Sequence, residues 1–430
     1  MKRLHSILKN SLYNVGGWTV FVVLQFLVVP YFIYEMGATV FGVYALIHSV
    51  MNYANVLDLG LGQGVTKFTA SCNERSDYDS MGQYVGVAVQ IVLLIGGGAS
   101  LAGYVFCDEI AAFLISGTEV EAAARFGVRI AAVSIPCALL VMIGAASLKG
   151  LERYDLVNII TVGSGIVSNL AGVLLLYLGF GIRAVLIIDL LVLGISASLF
   201  FIIFVRSVDR IRFPLQARRE VYWNLLTYGG SISVMRISIR SSVYLPRFFI
   251  SASLGPRAVT YYEVGWKIVN ALQGMNNQAT SVLIPVASRL STSSGRTVFV
   301  DRYMTAARYA AYLALPMFVL IILFGKDVLT VWVGSEIANE AALPLLFLAM
   351  SSLVNSYTNI PSYFAMGEGS TRVLALFGIV LIVATLTSLV LSIDVYGVSG
   401  AAGSVLVGRS IATLFIVGVY NQKTQIPSIL

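Results

Sequence analysis

Charge is scarce in this 430-residue chain: Asp, Glu, Lys and Arg together make up 11% of it, against 58% hydrophobic residues. That leaves too little polar surface to cover a soluble globule, so lipid has to serve as solvent. Histidine is scarcer still, with only His5 and His48, and the three cysteines Cys72, Cys107 and Cys137 lie far apart. No ligand spacing for zinc and no disulfide framework results, and neither a metal nor a cofactor is expected. Nucleophile–base constellations and phosphate-binding glycine loops are missing too, which argues against an enzyme. Long hydrophilic connections are also wanting. The longest on the outer side run from about 107 to 125 and from 325 to 342, short for a membrane-embedded glycan polymerase or ligase. The basic start MKRLHSILKN is followed by a long apolar stretch interrupted by Asn14 and Gln25, without a small-x-small cleavage site. A retained first helix is expected, not a signal peptide.

What is present is a series of apolar runs near the length of about 20 residues that crosses about 30 Å of hydrocarbon. Hydropathy and loop punctuation predict spans at 12–34, 41–58, 84–106, 126–148, 156–178, 184–205, 226–252, 259–281, 304–324, 343–365, 373–393 and 398–420. The fold class is an all-α integral membrane protein of about twelve transmembrane helices. The net charge of +7 reflects Lys and Arg gathered in alternate loops, as membrane topology demands, and no nucleic acid is expected. That bias predicts cytoplasmic N- and C-termini and a cytoplasmic linker at 206–224, rich in arginine, between lobes at 1–205 and 225–430. A shift of about 218 positions brings Gly37 onto Gly255, Tyr44 onto Tyr262 and Asn52 onto Asn270, the mark of two six-helix lobes in parallel repeat around a central cavity.

Intramembrane polarity is concentrated in four spans. In the seventh, Arg236, Arg240 and Arg247 fall within about 40° of one another on a helix, a cationic stripe that would cost roughly 10 kcal/mol against lipid. It should face water or anions; in the competing reading Arg247 snorkels to the outer headgroups while Arg236 and Arg240 pair within the bundle. The eighth span carries Glu263, Lys267, Asn270, Gly274 and Asn277 at spacings of 3 and 4, the second carries His48 and Asn52, and the first carries Asn14, Trp18 and Gln25. Glu263 and Lys267 either serve function, including ion coupling, or neutralise each other as an i, i+4 pair. Asp189 and Arg409, each in the last span of its lobe, suit structural pairing or ion coupling. Spans three, five and eleven look almost wholly apolar. Gly16, Gly17 and Pro30 in the first span and Gly229, Gly230 and Pro246 in the seventh are candidate hinge positions, close packing through small residues being the alternative.

Three segments carry a family resemblance: PYFIYEMGATVFGVYAL at 30–46, LDLGLGQGVTKFTA at 57–70 and LKGLERYDLVN at 148–158. With the hydropathy pattern they resemble the polysaccharide transport branch of the multidrug/oligosaccharidyl-lipid/polysaccharide (MOP) exporter superfamily, the O-antigen flippases of Wzx type in particular. The resemblance implies a V-shaped transporter of the bacterial inner membrane that moves undecaprenyl-diphosphate-linked oligosaccharide to the periplasmic leaflet by alternating access. It implies a cavity lined by spans one, two, seven and eight. Arg236, Arg240 and Lys267 would meet the diphosphate or acidic sugars, and Asn52, Asn270 and Asn277 the glycan hydroxyls, with Gln25, His48 and Arg247 on the same wall. Membrane lipids, H+ or Na+ as coupling ion, and a polysaccharide polymerase with its chain-length regulator complete the expected partners. An ion-coupled multidrug antiporter of the same superfamily is the alternative, for which a more acidic or aromatic cavity is expected.

Overall fold

The computed structural model describes residues 2–115, 121–208, 211–214, 218–280, 296–367 and 370–424, and every regular element among them is helical. In chain order these are α1 (Lys2–Tyr53), α2 (Leu61–Glu74), α3 (Tyr78–Val105), α4 (Cys107–Leu114), α5 (Glu121–Gly150), α6 (Tyr154–Tyr177), α7 (Gly181–Ser207), α8 (Arg219–Leu254), α9 (Pro256–Thr280), α10 (Arg296–Val333), α11 (Ser335–Gly367) and α12 (Thr371–Thr424).

Two of these are double spans. A straight helix of 52 residues would reach about 78 Å, more than twice the hydrocarbon thickness. Helix α1 is broken at Gly37 (φ 75°, ψ 159°) and the 54-residue α12 at Gly397 (φ 57°, ψ −135°). Both are conformations that a Cβ would oppose. With those breaks, α1 and α12 supply two spans each, α3 and α5–α11 one each, and α2 and α4 are short. The repeat appears in backbone geometry as well: left-handed glycines pair at a constant offset of 218 positions, Gly37 with Gly255 and Gly179 with Gly397.

Among the described residues, eight stretches are long and apolar enough to cross a membrane. Helices α8 and α9 are also long, at 36 and 25 residues, but interrupt their apolar sequence with arginine, lysine and asparagine. Apolar side chains such as Leu94, Val331 and Leu391 are exposed, the arrangement of helices whose outer surface meets acyl chains.

The chain divides into two compact units, Met1–Ser233 and Val234–Leu430. In the first, Leu61, Val65, Met81, Val85, Leu139, Ile143, Phe200 and Phe204 form a continuous core, with Gly144 set directly under Phe200. The segment expected to be a loop after the second span is helical instead. Its turn at Leu59 and Gly60 is left-handed, the Asp58 carboxylate accepts the Gly62 N–H at 2.8 Å, and α2 then buries Leu61, Gly64 and Val65. Capping and an apolar face give α2 the stability that its weak hydropathy did not advertise. Beside it, residues 211–214 lie on α3 where Gly82 lets the Arg212 carbonyl approach the helix backbone. In the second unit, Gly265 packs against Leu345 and Gly408 against Thr385, so backbones approach through small residues, as expected where lipid supplies no hydrophobic drive between helices.

Candidate functional site

The polar residues gather into two clusters, one in each unit. In the second unit the turn at Gly255 folds α8 against α9 and places Arg247 beside Glu263. Arg247 Nε donates to Glu263 Oε2 at 2.8 Å, and an Nη donates to the Val243 carbonyl. The guanidinium lies over three rings, Tyr244 at 5.5 Å and Tyr262 and Trp266 at 5.1 Å each. Only 2% of the Arg247 side chain is accessible. Where the sequence suggested a water-facing stripe or snorkelling, Arg247 is enclosed. The reason is a carboxylate 16 positions away that only the turn brings near, together with aromatic faces that favour a cation.

Lys267 approaches the other oxygen of Glu263 at 3.9 Å, the i, i+4 pair weighed from sequence, and 28% of its side chain is accessible. A third cation, Arg409 on α12, is buried; its Nη1 donates to Ser352 Oγ at 3.2 Å and it lies 5.9 Å over the same Trp266. Arg236 and Arg240 are half-buried on α8, and Asn270 and Asn277 are exposed on α9. Asn277 Oδ1 accepts from Gln273 Nε2 and from Asn359 Nδ2, both at 3.0 Å. The neighbouring Asn276, which sequence reasoning did not single out, is buried and donates to Ser356 at 3.1 Å.

In the first unit, His48 Nε2 lies 3.0 Å from Asp189 Oδ2, and the Ser168 hydroxyl donates to Asp189 Oδ1. The Tyr44 ring lies 4.3 Å from the His48 ring, tilted by 56° to it. One residue further on, Asn169 accepts from Gln25 Nε2 at 3.1 Å and donates to the Gly165 carbonyl at 2.7 Å. Span five therefore differs from its apolar reading: Ser168 and Asn169 on α6 bridge α7 and α1. Their signal was a Ser-Asn pair inside an otherwise aliphatic helix. Asn52 is exposed and its side chain donates to the backbone carbonyl of His48 at 2.8 Å.

The hinge candidates sit on helical backbone. Gly16, Gly17 and Pro30 lie within α1, whose non-helical residue is Gly37, and Gly229, Gly230 and Pro246 lie within α8. The side chains of Asn14 and Trp18 fall outside the described residues. No group of three or more metal-ligating side chains occurs among the described residues.

A protein of Shigella flexneri named as an O-antigen transporter is 22% identical over 424 residues, covering 98% of this chain and 99% of its own. A Haloferax volcanii protein named as a flippase, AglR, is 24% identical, covering 92% of this chain and 79% of its own. Among solved structures, the lipid II flippase MurJ in an inward closed conformation superposes with a TM-score of 0.78 at 14% identity, covering 95% of this chain and 87% of that one. An inward-facing multidrug resistance MATE transporter of the MOP superfamily superposes at 0.75 with 16% identity and 94% of each chain covered. The fold is thus the MOP transporter fold. The family model described as polysaccharide biosynthesis protein matches residues 37–342, more than half of the sequence, and the chain belongs to that family.

Proposed function

We propose that this protein is a flippase that carries undecaprenyl-diphosphate-linked oligosaccharide, an O-antigen or capsule or exopolysaccharide repeat unit, from the cytoplasmic to the periplasmic leaflet by alternating access. The observation that carries the reading is a cationic helix pair in a family that serves polysaccharide synthesis: Arg236, Arg240 and Lys267 are all partly accessible, while Arg247 is neutralised by Glu263. Guanidinium forks match the paired oxygens of a diphosphate, and ammonium supplies charge alone. Asn270 and Asn277 on the same helix offer amides to sugar hydroxyls, as Asn52 does in the first unit. Cargo selection thus falls to Arg236, Arg240 and Lys267, with Arg247 setting the shape of the wall behind them.

Transport of this kind makes and breaks no covalent bond, so the protein works without catalytic residues or a cofactor. The clustering of Lys and Arg in alternate loops supports a multi-pass inner-membrane protein with both termini cytoplasmic. A polymerase and chain-length regulator acting on the exported unit are natural partners. The test is translocation of labelled cargo by Arg236 and Arg240 variants in vesicles at matched abundance. The Arg236→Gln, Arg240→Gln double variant should lose about a hundredfold or more in apparent cargo affinity, since each charge-assisted contact is worth about 1.5–3 kcal/mol, roughly tenfold or more, and Lys variants should fall between. Wild-type behaviour of the double variant contradicts cargo recognition by this pair.

A further inference from the structure

The second unit buries more positive charge than its carboxylates balance. Arg247, Lys267 and Arg409 gather around α9, where Glu263 gives Oε2 to Arg247 at 2.8 Å and Oε1 to Lys267 at 3.9 Å. Lys267 is 28% accessible, so water shares the work of solvating it. Arg409 on α12 has no such help. It is 9% accessible, and among the described residues no carboxylate lies within 4.0 Å of it. Its Nη1 donates to Ser352 Oγ on α11 at 3.2 Å, and its guanidinium lies 5.9 Å over Trp266, a ring that Arg247 also approaches, at 5.1 Å. A guanidinium has five N–H donors and keeps its charge at any physiological pH. One hydroxyl and a shared ring face meet part of that demand, and a buried cation without a counter-charge is strongly disfavoured.

Tyr262 is the second, independent sign. Its side chain is fully buried and its hydroxyl has no hydrogen-bond partner, although a buried phenol ordinarily finds one. It interacts electrostatically with both Arg409 and Arg247, so this O–H sits beside cations, which offer it no acceptor. The Ser352 hydroxyl, having accepted from Arg409, still has its own proton to donate. Donors from α9, α11 and α12 thus meet around one uncompensated positive charge.

We infer that Arg409, Tyr262 and Ser352 form a binding site for a small monovalent anion of the halide class, such as chloride. Glu263 cancels one charge of the Arg247 and Lys267 pair and water screens the other, so the buried remainder is the single charge of Arg409, which one halide neutralises. A spherical acceptor takes hydrogen bonds from any direction and can serve a guanidinium and two hydroxyls together. A phosphate carries more charge and several oxygens, each needing donors that one guanidinium and two hydroxyls do not supply. A halide held there ties three helices of the second unit to one another whatever the cargo, so the site is independent of the flippase reading.

The test is thermal unfolding of the purified full-length protein in lipid nanodiscs, with chloride or bromide replacing gluconate at constant ionic strength. The unfolding temperature should rise by a few degrees and saturate, as for any ligand of the folded state. Arg409→Met, similar in length and uncharged, should show no halide-dependent rise. Tyr262→Phe should match wild type in gluconate, because its hydroxyl has no partner to lose, yet need about ten times more halide for the same rise. If Arg409→Met fails to fold, Tyr262→Phe decides alone, and unaltered halide affinity in it overturns the site. No halide dependence in wild type, or equal dependence in all three proteins, overturns it as well. An Arg409-dependent rise that is larger with phosphate than with chloride overturns the monovalent assignment.

Discussion

Replacing Glu263 by Gln removes one negative charge and almost no volume from a position where the partner cation cannot escape. Arg247 is 2% accessible and its Nε is 2.8 Å from the carboxylate. Stripping one member from a buried ion pair costs about 3–5 kcal/mol. Two features of the site reduce that figure: the amide oxygen still accepts a hydrogen bond, and three aromatic rings within 5.5 Å continue to favour the guanidinium. We therefore expect a loss of about 2–3 kcal/mol once the ring contributions are set against the buried charge. Lys267 is left without its i, i+4 carboxylate, but that contact is long at 3.9 Å and 28% of the lysine side chain is accessible, so it adds only a few tenths of a kcal/mol. The measurement is thermal or denaturant unfolding of purified Glu263→Gln in detergent, as part of a double-mutant cycle with Arg247→Leu. The double variant should be more stable than Glu263→Gln alone, because it no longer buries an unpaired cation. A Glu263→Gln protein within about 0.5 kcal/mol of wild type, or strictly additive variants, would refute the view that this pair holds α8 against α9.

Three further substitutions probe the packing and the capping. In Gly408→Ala the new methyl would meet the Thr385 Cα and Cβ, both at 2.9 Å, and should destabilise by about 1–3 kcal/mol. Gly194→Ala, where nothing lies within 4 Å, should be neutral in the same unfolding assay. Asp77 caps α3: the Ser80 hydroxyl and backbone N–H hold its carboxyl below the usual range, with Arg75 and Arg218 assisting. Its contribution is therefore full above the ordinary carboxylate range and disappears as pH falls through the lowered value. Asp77→Ala should cost about 0.5–1 kcal/mol at neutral pH, the low end of capping energies because solvent screens an exposed side chain. The difference from wild type should vanish near pH 2, and a difference that persists there would contradict the capping assignment.

The span pattern was legible because it follows from transfer energetics alone: the span expected at 156–178 begins and ends within two residues of α6, Tyr154–Tyr177. Gly37 was legible as one half of a repeat, and its left-handed backbone explains why glycine stands there and at Gly255. Helix α2 was missed because its polar and apolar residues average out over a hydropathy window, although they segregate on its faces. Partners were the least legible feature. Asp189 and His48 are 141 positions apart, and nothing in composition or periodicity selects one partner for a lone intramembrane carboxylate. Arg247 looked like its neighbours Arg236 and Arg240 because helical spacing reports which residues share a face, not what the facing helix carries. Ser168 and Asn169 were overlooked for the complementary reason: two small polar residues barely lower the hydropathy of an aliphatic span, yet they supply hydrogen bonds to two other helices.

The central claim is tested most directly by flipping itself. Purified full-length protein is reconstituted into liposomes with fluorescent undecaprenyl-diphosphate oligosaccharide, and the fraction of label open to a membrane-impermeant reagent is followed over time. The account predicts protein-dependent movement of the lipid-linked oligosaccharide between leaflets, slowed in Arg236→Gln, Arg240→Gln, and no comparable transport of lipophilic organic cations. Liposomes that export organic cations while the lipid-linked oligosaccharide stays in its original leaflet would contradict it.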